Sequence, residues 1–221
     1  MNAVMDDLVD VPESWPVVSH EVKATGRVQN FVEERVVTPT GDTMVRQWVG
    51  HPGAVGIMAL DDQGRIAVVH QYRHPVGMRL VEPPAGILDM DGERAVEAAQ
   101  RELAEEAQLA ASDWSVLVDL FTSPGGLEES LRVYLARDLR PAPRPDGFVV
   151  ADEETDMGLA WLPLDTLVER VYAGQVQNPT MVAGTLALAL AIATGRVERL
   201  RPPTAPWPAR TLKEARDRKG A

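Results

Sequence analysis

The stretch Gly86-Ile87-Leu88-Asp89-Met90-Asp91-Gly92-Glu93, followed after seven residues by Arg101-Glu102-Leu103-Ala104-Glu105-Glu106, decides how the rest of the chain is read. Its first half is glycine-bearing loop. In the second half the apolar residues Val96, Ala99, Leu103 and Ala107 recur at three- and four-residue steps. That spacing predicts a helix over about residues 93–108, with Asp91 as its N-cap. On such a helix Glu102 and Glu106 stand one i,i+4 step apart, and Glu105 joins them from the side. Like charges at this spacing repel by about 0.2–0.5 kcal/mol per pair. A hard divalent cation reverses the sign, because Mg²⁺ takes one or two carboxylates and fills its shell with water and phosphate oxygens. On the glutamates alone a solvated acidic face is the simpler explanation. The preceding Glu82-Pro83-Pro84-Ala85-Gly86, which brings backbone up to the carboxylates, favours the metal.

These residues resemble the Nudix box, G-x5-E-x7-R-E-U-x-E-E-x-G-U with U aliphatic. Gly86, Glu93, Arg101, Glu102, Leu103, Glu105, Glu106 and Leu109 match it in type and order. There are two departures. Six residues rather than five separate Gly86 from Glu93, and Gln108 stands where the family has glycine. A glutamine in the left-handed conformation that this position requires costs about 1 kcal/mol. The resemblance implies an α+β fold, an α/β/α sandwich around a mixed sheet. It also implies site roles. Glu102, Glu106 and the Ala85 carbonyl would be ligands of Mg²⁺ (or Mn²⁺). Glu105 would be a further ligand or a group supporting them, and counts among the catalytic candidates. Arg101 would orient the glutamates by charge-assisted hydrogen bonds, with Glu93 its partner or a support of the metal.

Similarity extends to the ADP-ribose pyrophosphatase branch through His70-Gln71-Tyr72-Arg73-His74, Glu82-Pro83-Pro84-Ala85-Gly86, Pro124 and the loop Ser123-Pro124-Gly125-Gly126-Leu127-Glu128-Glu129-Ser130. That likeness implies metal-dependent hydrolysis of ADP-ribose to AMP and ribose 5-phosphate. Arg73 and Glu82 fall on positions that line the substrate site in that branch, Gly125 belongs to the similar loop, and Arg46 is a candidate to reach in from a partner protomer. In the acidic run Asp152-Glu153-Glu154-Thr155-Asp156, Glu154 is the expected general base and Glu153 the alternate. The branch is homodimeric, with its N-terminal small sheet exchanged between protomers.

Composition narrows the alternatives. The 221 residues carry a net charge of −11, which disfavours binding to a nucleic-acid backbone. There is no cysteine, so disulfides, thiolate metal sites and a cysteine nucleophile are excluded, and with them the isomerase use of the fold. His70 and His74 do not make a zinc site, because four residues of strand span about 13 Å. The acidic start lacks the order of a signal peptide, and the apolar run over residues 181–193 is too short for a membrane span. A cytoplasmic protein acting on a nucleoside diphosphate, with neither membrane nor nucleic acid as partner, is expected.

Three regions follow. Residues 1–50 carry short alternating runs, such as Arg27-Val28-Gln29 and Glu34-Arg35-Val36-Val37, around a turn at Thr38-Pro39-Thr40-Gly41-Asp42. They predict a small antiparallel β subdomain too thin to cover its own faces. Residues 51–200 form the catalytic domain. They begin with a buried strand over 54–60 and a hairpin turn, Asp61-Asp62-Gln63-Gly64. Strands near 114–120, 131–136 and 157–161 follow, then helices near 164–172 and 180–194. Residues 201–221 are a proline-rich and then basic tail, expected to be largely mobile. Two other functions fit parts of this pattern. One is pyrophosphatase activity on another nucleoside diphosphate derivative, a nucleotide sugar or NADH. The other is a non-catalytic ADP-ribose-binding module, which the retained glutamates disfavour.

Overall fold

The computed structural model describes residues 8–145 and 157–220, the last six as backbone only. The chain divides into two compact units, Pro52–Ala205 and a second composed of Met1–His51 with Pro206–Ala221.

The second unit contains a three-stranded antiparallel sheet, β1 (Val17–Thr25), β2 (Asn30–Val37) and β3 (Thr43–Gly50), in that order. All nine positions of β1 are exposed, and only Val32 and Val36 of β2 are buried. The turn after Val37 forms as expected, with Thr38 N–H donating to the Asp42 carbonyl and Gly41 at φ 92°. Arg27-Val28-Gln29 is a turn, not a strand: Gly26 N–H donates to the Gln29 carbonyl at 2.7 Å and reverses the chain between β1 and β2.

In the larger unit the chain runs β4 (Ala54–Ala59), β5 (Arg65–Arg73), β6 (Met78–Glu82), β7 (Ala85–Ile87), α1 (Ala95–Ala107), β8 (Leu109–Phe121), β9 (Ser130–Pro141), β10 (Gly158–Pro163), α2 (Leu164–Tyr172) and α3 (Pro179–Ala193). One sheet has the order β7-β4-β9-β8 and is mixed, with β4 and β9 parallel and the other pairs antiparallel. The other, β10-β5-β6, is antiparallel. This is the α+β class that the sequence implied.

Every position of β4 is buried, as a strand covered on both faces must be. Gly56 and Gly184 allow α3 to lie directly on one face. A Cβ on Gly56 would stand 2.3 Å from Thr180 Cγ2, and one on Gly184 would stand 2.6 Å from Met58 Sδ. Side chains alternate along a strand, so Val55, Ile57 and Ala59 are left for the opposite side, and α1 also packs on β4. Asn178 caps α3 by accepting from Met181 N–H at 3.0 Å, with Pro179 in the first turn. Among the described residues no helix is long and apolar enough to cross a membrane.

The structure revises three expectations. The turn at Asp61 forms, with Gly64 N–H on the Asp61 carbonyl at 3.0 Å, but the hairpin ends after one bridge, Leu60 with Ile66. β4 then takes β9 as its parallel neighbour and β5 joins the other sheet. Secondly, α1 begins at Ala95 and not beside Asp91, because the Glu97 carboxylate accepts from Arg94 N–H at 3.0 Å and makes Arg94 the cap. Asp91-Gly92 instead belong to a turn in which Glu93 N–H reaches the Met90 carbonyl and Gly92 has φ 79°. Thirdly, the tail is helical over α4 (Pro208–Gly220). Trp207 is buried, its carbonyl accepts from the N–H groups of Arg210 and Thr211, and Arg210 pairs with Glu214 one turn on.

At the end of α1, Gln108 has φ 53° and ψ 42°, the left-handed conformation expected there, and its N–H returns to the Ala104 carbonyl at 3.2 Å. Replacing it with glycine removes the Cβ conflict and adds chain entropy to the unfolded state. Gln108→Gly is therefore expected to raise stability by up to about 1 kcal/mol, read as a shift in the urea midpoint.

Candidate active site

β7 and α1 build the site together. The apolar face of α1 (Val96, Ala98, Ala99, Leu103 and Ala107) is buried, which turns Glu102, Glu105 and Glu106 to the half-exposed side. β7 lies against that side without a side chain at Gly86. A Cβ there would come within 2.0 Å of Glu102 Oε1 and 2.1 Å of its Cδ. Only glycine leaves this space for the carboxylate. One residue earlier, Ala85 N–H donates to Glu106 Oε2 at 2.9 Å. The loop is thus held to two of the glutamates, by close packing at one and a hydrogen bond at the other.

Arg101 gathers the remaining carboxylates. Its Nε and Nη2 donate to the two oxygens of Glu93 at 2.9 and 3.0 Å, a bidentate pair. Its Nη1 donates to Glu102 Oε1 at 2.6 Å and to Glu105 Oε2 at 3.0 Å. The hydrogen bonds it donates to Glu93, ahead of the charges of Glu102 and Glu93, hold the guanidinium pKa above its already high ordinary value, against some loss from burial. Arg101 is a fixed positive charge among these carboxylates at every pH that the fold survives. Lysine has no planar fork and cannot span three carboxylates. Arg101→Lys is therefore expected to lower kcat by about 10–100-fold, with the substrate KM little changed, in steady-state assays.

Among the described residues no three acidic or histidine side chains already converge on one point closely enough to hold a metal ion. The donor set nevertheless suits a hard cation: carboxylate oxygens gather within one helix turn, one cation is already accommodated among them, and Gly86 makes room for the Glu102 carboxylate.

Arg73 and Glu82 lie on the adjacent strands β5 and β6 and pair with each other, Nε to Oε1 at 3.0 Å and Nη2 to Oε2 at 2.7 Å. Glu82 is buried, while Arg73 keeps about two-fifths of its side chain exposed. Gly125 lies in a turn closed by Gly126 N–H and Leu127 N–H on the Ser123 carbonyl, with open space where a Cβ would stand. Arg46 is exposed on β3, opposite Glu34, and belongs to the other unit. Glu153 and Glu154 lie outside the described residues. The flanks of their segment are described: Ala142 N–H donates to the Gln108 carbonyl at 2.9 Å, Arg144 Nε donates to the Glu105 carbonyl at 2.9 Å, and Gly158 pairs with His70. Arg144 escaped the sequence reading because nothing local ties it to a helix 39 residues earlier.

A family model described as the NUDIX domain matches residues 50–182, more than half of the chain and all of the carboxylate site. The chain belongs to the Nudix family. It is a Nudix hydrolase. The chain is 45% identical over 181 residues to the ADP-ribose pyrophosphatase of Mycobacterium tuberculosis, covering 82% of this chain and 86% of that protein. It is 32% identical over 166 residues to the methanol dehydrogenase activator of Bacillus methanolicus, covering 75% of this chain and 88% of that one. A solved structure described as an ADP compounds hydrolase superposes with TM-score 0.69 at 20% identity, covering 86% of this chain and all of the other, a likeness of fold. In this Nudix chain, then, the Gly86–Glu102 contact and the Arg101 cluster are the family box seen as geometry.

Proposed function

We propose that this Nudix hydrolase cleaves the diphosphate of ADP-ribose, releasing AMP and ribose 5-phosphate. The observation that carries the reading is the clamp of β7 on α1, in which Gly86 makes room for Glu102 and Ala85 N–H fixes Glu106. The choice of substrate is supported by the relative that is 45% identical, itself named an ADP-ribose pyrophosphatase.

Glu102, Glu106, the Ala85 carbonyl and Glu105 would hold Mg²⁺ (or Mn²⁺), which when bound neutralises charge on the diphosphate oxygens. The remaining work falls to the chain. Arg101 fixes the rotamers of Glu102 and Glu105, so that the carboxylates need little reorganisation. Arg73, held by Glu82 yet partly exposed, offers a fixed cation to the anionic substrate, and Gly125 is a further candidate for substrate contact. Glu154, or Glu153 in its place, takes a proton from water. The water oxygen bonds to one phosphorus, and the bridging oxygen leaves with the other phosphate. The described residues that flank that segment, Arg144 on the Glu105 carbonyl of α1 and Gly158 paired with β5, support this reading.

The protein acts as a cytoplasmic homodimer in this reading. The fully exposed β1, with Val17, Val18 and Val22 at about half exposure, supports a second copy as the cover of the small sheet, from which Arg46 would contribute to the site. Incubation with ADP-ribose, GDP-mannose, NADH and a diadenosine polyphosphate, with Mg²⁺, Mn²⁺ or EDTA, tests the function. Metal-dependent AMP release, fastest from ADP-ribose, is expected. Preference for another of these substrates moves the specificity, and ADP-ribose binding without turnover by any of them overturns the catalytic reading.

A further inference from the structure

A concavity in the larger unit lies apart from the carboxylate cluster. It measures about 370 Å³ and is lined by Val116 and Leu117 of β8 together with Arg196, Arg199, Leu200 and Arg201, which follow α3. Three arginines line one hollow on a protein with a net charge of −11.

Backbone structure sets their spacing. Arg196 N–H returns to the Ala191 carbonyl as α3 ends, and residues Val197–Arg199 form a single 3₁₀ turn. Arg201 makes a β-bridge with Val116, whose N–H donates to its carbonyl at 2.9 Å, beside the bulge in β8 at Leu117. The neighbouring carboxylates are already engaged. Asp119 accepts both nitrogens of Arg132, at 2.7 and 2.9 Å, as well as Nη1 of Arg201 at 2.7 Å. Glu198, within the 3₁₀ turn, accepts from Arg137 at 2.8 Å. Among the described residues neither the Arg196 nor the Arg199 side chain has a hydrogen-bond or ion-pair partner.

We propose that this hollow is a binding site for a phosphate-bearing small anion, a phosphomonoester or an inorganic diphosphate. Guanidinium forks match phosphate oxygens in pairs, and an anion in the hollow would be attracted to both Arg196 and Arg199. The volume lies within the range of small-ligand pockets, and Val116, Leu117 and Leu200 give an organic group an apolar wall. Arg201 is turned to Asp119 and frames the site, while Arg196 and Arg199 supply the free donors.

Isothermal titration of the full chain in EDTA, with inorganic pyrophosphate, inorganic phosphate and AMP, tests this without metal-bridged binding at the glutamates. Saturable binding that weakens with added salt is expected, reduced at least tenfold in the double variant Arg196→Ala, Arg199→Ala. The double lysine variant, which keeps charge and loses the forks, is expected to fall between. Both side chains are exposed, so the fold is expected to survive, and circular dichroism checks it. Tighter binding of AMP than of phosphate, lost in the arginine variant, places the nucleoside on the apolar wall. Equal and similarly sensitive binding makes the phosphate group the whole ligand. Absence of saturable binding to all three anions overturns the proposal. So does an affinity unchanged in the arginine variant, or one lost instead in Glu106→Gln.

Discussion

Glu106→Gln is expected to lower kcat for ADP-ribose by at least about 100-fold at saturating Mg²⁺ while leaving the fold intact. Removing a group that merely orients a metal ligand costs about 10–100-fold, and removing the charge of a ligand costs at least as much. The variant isolates that charge. Glutamine keeps a carbonyl oxygen in the same place, so Ala85 N–H retains the acceptor that Glu106 Oε2 provides at 2.9 Å, and β7 stays on α1. Thermal unfolding within about 1 kcal/mol of the parent, together with lost turnover, separates ligand charge from architecture. A variant that turns over at the parental rate would remove Glu106 from the site.

A comparable loss is expected from Glu154→Gln, about 10²–10⁴-fold in kcat, the range for removal of a general base. Here metal affinity is expected to be unchanged, because in the proposed function this residue accepts the proton of the attacking water and holds no metal. The paired Glu153→Gln variant assigns the position: a small effect there with a large one at Glu154 supports the reading, and the reverse pattern transfers the base to Glu153. If both singles and the double retain turnover, the acidic segment takes no part in proton transfer.

How far the sequence could be read differs from element to element. The α1 face was legible because three- and four-step spacing of Val96, Ala99, Leu103 and Ala107 leaves Glu102 and Glu106 on one side of any helix, whatever surrounds it. The left-handed Gln108 was legible through the resemblance, because the family box carries a glycine at that position. The start of α1 was not. Asp91 is the cap that residue type favours, and the helix starts later because Glu97 turns back to Arg94 N–H. The hairpin at Asp61 was half legible: its turn is local, but the parting of β4 and β5 after Leu60 depends on β9, some 70 residues on, offering β4 a parallel edge.

The division has one physical cause. Helix periodicity, turn chemistry and the order of charged residues act over a few positions, so the sequence alone specified the acidic helix, the glycine loop before it and the absence of thiol chemistry, while the α+β class followed from the family resemblance that those residues carry. Packing acts between segments far apart in the chain, where burial and close approach select among locally equivalent arrangements. Only the tertiary structure therefore decided that Gly86 lies over Glu102, that Arg101 bridges Glu93, Glu102 and Glu105, that Arg144 anchors to α1, and that three arginines meet beside β8.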